Sequence, residues 1–153
     1  MILVNKENIQ GYYLGDGVSL LYTDKNQYDE IFPFWDWKKL PGTTIIQDDK
    51  PLPVIKFKEF KTNSTFVGGV SNGKNGIAVL DYNRDGLFAK KSWFMFNDKI
   101  VCLGTAIDAE TNFPVVTTLN QVFLKGDIIV SQNNKINQNF KGKKSDSLDW
   151  ILH

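Results

Sequence analysis

Residues 81 to 104 read DYNRDGLFAKKSWFMFNDKIVCLG, and two incompatible structures compete for the first six of them. Asp81-x-Asn83-x-Asp85-Gly86 matches the opening of a helix-flanked calcium loop, which closes on its ion with a bidentate glutamate at the twelfth position. Here that position is Ser92, and both flanks alternate as strands do. The stretch is therefore predicted to run strand, turn, strand, with Asp and Asn capping their own backbone and Gly86 taking an unusual φ. A non-helical calcium site stays open as an alternative, although no cofactor is expected. In AKKSWFMF, residues 89 to 96, Lys91, Trp93 and Met95 share one face while Ser92, Phe94 and Phe96 share the other. Aromatics on both faces predict a central strand covered on each side. Trp93 is either a core residue or a surface for stacking a sugar.

Outward from this stretch, helical spacing is hard to find. Short runs of β-branched and aromatic residues bounded by Gly, Asn and Asp recur instead, predicting strands at 10–15, 17–23, 54–60, 64–71, 75–81, 88–97, 99–107, 113–124, 127–132 and 148–152. Such close spacing favours antiparallel meanders, so the fold class is all-β, an antiparallel sandwich in one domain over residues 1–153. Hairpin turns are expected at SNGKNG (71–76), NDK (97–99) and KGD (125–127). The pattern fails between residues 24 and 53, a stretch with four of the five prolines and two of the four tryptophans. Leaving Phe32, Phe34, Trp35 and Trp37 in water would expose much apolar surface, so this loop is predicted to pack over a sheet or line a cleft. The polar segment 133–147 reads as a loop or hairpin with a solvated face.

Composition bounds the function. The 153 residues carry 18 basic and 17 acidic side chains, a net charge of +1 that advertises no nucleic-acid surface. No apolar run approaches the roughly 18 residues of a membrane span. The single cysteine, Cys102, lies in the apolar run KIVCLG and reads as a small buried hydrophobe, because the only histidine is the terminal His153. That rules out a Ser-His-Asp set; there is also no Cys/His metal spacing and no phosphate loop, and GDG at 15–17 reads as a turn. Glu7, beside Asn8 in NKENIQGYY, is the one acid that invites a chemical role, though a glutamate at a strand entrance ordinarily faces solvent.

Five blocks in order, ENIQGYYLGDG, FPFWDWKKLPGTT, FVGGVSNGKNGIAVLDYN, AKKSWFMFNDKIVCLGTAI and TTLNQ, make the chain resemble the central β-domain of polysaccharide lyase family 8. The resemblance runs from about Asn5 to His153. It implies a large multi-sheet supersandwich of galactose-mutarotase-like type, here an excised piece of a longer bacterial enzyme, extracellular or periplasmic, whose helical toroid and C-terminal sandwich lie outside this chain. The implied partners are an anionic uronate polysaccharide and that helical domain. The implied reaction is β-elimination at a uronic acid, with the Asn, His, Tyr and Arg that perform it on the toroid, and no metal-activated water. Glu7 then corresponds to a supporting carboxylate that pairs with toroid arginines at the cleft. Asn8 is its expected substrate-contacting companion, with Asn5 or Gln10 as alternatives for that amide. A second reading is a free-standing carbohydrate-binding sandwich with Trp35 and Trp37 as the sugar platform; a third is a structural sandwich with no ligand.

Overall fold

The computed structural model describes residues 9–54, 62–138, 140 and 147–153. Strands β1 (Thr44–Ile46), β2 (Val67–Ser71), β3 (Gly76–Arg84), β4 (Leu87–Met95), β5 (Ile100–Ala109), β6 (Val115–Thr117), β7 (Ile129–Gln132), β8 (Lys135–Asn137) and β9 (Trp150–Leu152) form three sheets. All pairings are antiparallel: β1 with β6, the meander β2-β3-β4-β5, and β8-β7-β9. Among the described residues there is no α-helix, only single 3-10 turns at Gly11–Tyr13 and Phe32–Phe34. The all-β expectation holds.

The meander follows from its turns. Asn72 Oδ1 accepts the N–H groups of Lys74 and Asn75 at 3.0 and 2.8 Å, closing the first hairpin. Asp85 and Gly86, at φ 56° and 74°, make a two-residue turn whose twist matches that of β3 and β4. The Phe96 N–H donates to the Lys99 carbonyl at 2.8 Å in the third turn. The opening stretch of the sequence is thus a hairpin, but Asp81 and Asn83 lie in the strand and cap nothing; only Asp85-Gly86 turns. Tyr82, Leu87 and Ala89 form a buried cluster on one face, packed by Ile46, Leu80, Ala109 and Val115. A bulge between Phe88 and Lys90 shifts the β4–β5 register opposite Ala106, whose φ is 50°; such a kink at an edge strand blunts pairing with another sheet.

Several sequence expectations need correction. Residues 10–15 form no strand: Gly11–Tyr13 is a buried 3-10 turn, because Tyr12 and Tyr13, edge to face at 4.8 Å, both enter the core. Residues 17–23 form no strand: Ser19 makes one backbone bond, to the Pro41 carbonyl. Of 113–124 only β6 is strand, since Asn120 and Gln121 are drawn into side-chain bonds. The predicted strand at 54–60 lies outside the described residues except for Val54, which is exposed. The aromatic loop does not merely cover a core, because Tyr28, Ile31, Trp35, Leu40 and Ile45, with Tyr12 and Tyr13, are the larger core. Cys102 is exposed, and the far face of β4 is only partly covered, with Phe94 half-buried and Phe96 exposed.

Candidate functional site

Three arrangements hold the chemistry-bearing residues: a buried polar latch, an aromatic knot, and a cleft beside β4. The latch joins the N-terminal segment to the β3–β4 hairpin. Asp16, in the GDG turn, accepts a bond from Arg84 Nη1 at 3.0 Å and from the Tyr82 hydroxyl at 3.1 Å. Arg84 Nη2 donates to the Tyr12 carbonyl at 3.2 Å, and its guanidinium lies 4.0 Å over the Tyr12 ring. The Tyr12 hydroxyl donates to Asp85 at 2.7 Å, and Asp85 also takes Arg84 Nε at 3.3 Å. Asp16 and Arg84 are each 5% exposed. Burial raises the Asp16 carboxyl to about 6, outweighing the opposing pull of the Arg84 charge and the Tyr82 hydrogen bond. Burial also pushes the Tyr12 phenol up to about 12, so it stays protonated and donates.

This latch fixes residues 11–17 and therefore the point from which the chain runs back to Glu7 and Asn8. Those two residues lie outside the described residues. Sequence reasoning missed the latch because its partners are 66 to 73 positions apart. One signal was present: an arginine at the end of a strand whose first half is apolar.

The aromatic knot uses Trp35 and Trp37, packed edge to face with centroids 5.5 Å apart. Trp35 is 6% exposed, and its Nε1–H donates to the Gln121 carbonyl at 3.1 Å. The Gln121 side chain completes the clamp, accepting from the Asp36 N–H at 2.7 Å and donating to the Lys39 carbonyl at 2.8 Å. Trp37, half-buried, packs on the same core. The tryptophan pair is thus brought together as expected, but with no open face on Trp35 a shared sugar platform does not form. Phe34, 72% exposed and edge to face with Phe123, reaches solvent, as does Phe32.

The cleft, about 480 Å³, opens between the 17–21 segment and β4–β5, with Lys91, Trp93, Met95 and Cys102 on the sheet side. Gly42 shapes its opposite wall: a Cβ there would stand 2.8 Å from the Gly17 carbonyl oxygen, and its φ is 83°. Its own carbonyl accepts a bond from Lys91 Nζ. No group of three or more His, Cys, Asp or Glu gathers as a metal cage among the described residues, and no helix among them is long and apolar enough to cross a membrane.

Comparison with known proteins places this architecture. The family model described as polysaccharide lyase family 8, super-sandwich domain, matches residues 1–153. A chondroitinase-AC of Pedobacter heparinus is 36% identical over 97% of this chain and 21% of its own length. A hyaluronate lyase of Staphylococcus aureus is 39% identical over 77% of the chain and 15% of its own length, and a xanthan lyase of a Bacillus species 37% identical over 80% and 13%. The solved structure of a chondroitinase AC lyase with bound oligosaccharide superposes with a TM-score of 0.82 at 34% identity, covering 95% of this chain and 22% of that one. The chain thus spans about a fifth or less of the length of these relatives. With three antiparallel sheets in place and the family model matching from end to end, the chain belongs to polysaccharide lyase family 8, as its super-sandwich domain.

Proposed function

We propose that the chain is the central β-portion of a longer bacterial lyase that cleaves a uronic-acid polysaccharide by β-elimination, and that it does not catalyse the reaction alone. The carrying observation is the family match together with a chain about a fifth the length of its chondroitinase relative. Unpartnered apolar surface agrees: Val67, Val70 and Ile151 are all exposed, as they are when further protein normally covers them.

In the elimination a base removes the proton at C5 of the uronate while hydrogen-bond donors neutralise its carboxylate. The electron pair left at C5 forms the new double bond to C4, and the bond from C4 to the bridging oxygen breaks as an acid protonates that oxygen. Glu7 supports these steps by pairing with arginines of the remaining protein, a charge-assisted contact that fixes the guanidinium beside the cleft. Asn8 lies at the same border. The latch at Asp16 and Arg84 fixes residues 12–16, a few positions further along the chain. Secretion to the cell exterior or periplasm fits an enzyme whose polymeric substrate cannot enter the cell.

The test is absorbance of the conjugated unsaturated uronate product. This chain alone should generate none from chondroitin, hyaluronan or xanthan, whereas the enzyme extended by its remaining domains should. In that enzyme Glu7→Gln is expected to lower turnover about thirtyfold to several hundredfold, the equivalent of roughly 2–4 kcal/mol, with Glu30→Gln as control. Product from the isolated chain, or unchanged turnover in Glu7→Gln, overturns the assignment.

A further inference from the structure

Lys91 is 8% exposed, yet among the described residues no carboxylate bonds to it. Among the described residues its Nζ has a single hydrogen-bond acceptor, the neutral Gly42 carbonyl, and one aromatic neighbour, Trp93, with its ring centroid 5.5 Å away. Cys102 and Asp16 favour its charged form from a distance, but neither bonds to it, and Asp16 is already committed to Arg84 and Tyr82. A buried ammonium with no directly bonded counter-ion is an expensive arrangement for structure alone. It sits in the wall of the roughly 480 Å³ cleft, whose other lining is largely apolar, with the hydroxyls of Ser19, Thr44 and Thr118 among it.

We propose that this cleft is a binding site for a uronate residue, with the Lys91 ammonium receiving its carboxylate and the Trp93 indole flanking its ring. Two of the three ammonium protons remain for an incoming anion, since the Gly42 carbonyl occupies one. A pyranose has an apolar C–H face suited to an indole and hydroxyl edges suited to Ser19 and Thr118, and a carboxylate at Nζ sets such a ring beside Trp93. A neutral sugar would leave the cation uncompensated, so discrimination rests on the charge. Burial holds the Lys91 amine down at about 8. It is therefore still mostly charged at neutral pH, and a bound carboxylate would return it toward the ordinary lysine range.

The choice of a uronate among carboxylates rests on the lyase reading. The binding test requires no turnover, so failure here and failure of the activity assay are separate results. The chain is titrated by calorimetry with a glucuronate-containing disaccharide, its carboxyl-reduced neutral counterpart, and benzoate as an apolar carboxylate. The expected result is saturable binding of the uronate, weakened about tenfold or more by reducing its carboxyl or by Lys91→Met, and largely retained in Lys91→Arg. Lysine Cε NMR on the unmodified chain guards against a misfolded variant: the Lys91 titration should move up by about one pH unit when the uronate is saturating. Equal binding of the neutral sugar, preference for benzoate, undiminished binding by Lys91→Met, or a Lys91 titration indifferent to the uronate would each overturn the proposal.

Discussion

Residues 9–54 and the β2–β5 meander divide the usual attributes of a folded domain between them. The first has one three-residue strand and two 3-10 turns, yet supplies most of the larger core, down to Leu40 at 0% exposed. The meander has the long ladders, yet leaves Val70, Val101 and Leu103 in solvent. Regular hydrogen bonding and burial are separable: the irregular segment is held by what its side chains touch, the sheet by what its backbone pairs with. Substitutions in the two regions should therefore differ sharply in effect.

The largest loss is expected from Trp35→Ala, which removes an indole from the irregular core and orphans the Gln121 carbonyl. A destabilisation of about 3–5 kcal/mol, read from urea unfolding, would confirm that the loop is the stability centre; a loss below roughly 1 kcal/mol would break the contrast. Gly42→Ala comes next. Its positive φ and the approach of the Gly17 carbonyl oxygen predict a loss of about 1–3 kcal/mol, with Lys91 displaced from its acceptor.

The third expectation is a pH dependence specific to the latch. The folded Asp16 carboxyl titrates at about 6 against a reference of 3.8, so the folded state binds the proton more tightly than the unfolded chain does. Stability from this group must rise as pH falls through about 6 and level off below the unfolded value. The gain is about 3 kcal/mol, since a tenfold difference in proton affinity between the two states corresponds to about 1.4 kcal/mol. Chemical denaturation of wild type and Asp16→Asn across that window should show the slope in the former and its absence in the latter. An equal slope in both would mean that another group titrates. The direction also implies that the buried Asp16–Arg84 pair specifies where the segment docks more than it stabilises the docked state. The smallest effect is expected from Leu103→Thr on the open face of the meander, within about 0.5 kcal/mol.

How far the sequence could be read follows the same division. The meander was legible because its information is local: Asn-Gly and Asp-Gly steps set the turns, and alternation set the faces. Even there, coverage of both faces of β4 is expected from aromatics of which Trp93 and Phe94 are half-buried and Phe96 meets solvent. The irregular core was not legible, because QGYYLG and GVSLLYT have strand composition while their conformation is decided by Arg84 and Pro41 far along the chain. Trp35 was expected in the right loop but as a platform, and only its bond to Gln121 shows it to be a clamp. Lys91 did leave a mark in the sequence, a cation in register with Trp93 and Met95 on one face of a central strand.

The span of the latch bears on how the chain comes to fold during synthesis. Residues 12 to 16 leave the ribosome well before Tyr82, Arg84 and Asp85, their partners 66 to 73 positions later. At roughly 5–20 residues per second, several seconds pass in which the Tyr12 hydroxyl and the Asp16 carboxylate are without their latch partners. The β3–β4 hairpin, closed by its own two-residue turn, can form as soon as it emerges and then capture the waiting segment. The latch therefore closes against the direction of translation, the earlier-made segment waiting on the later-made hairpin.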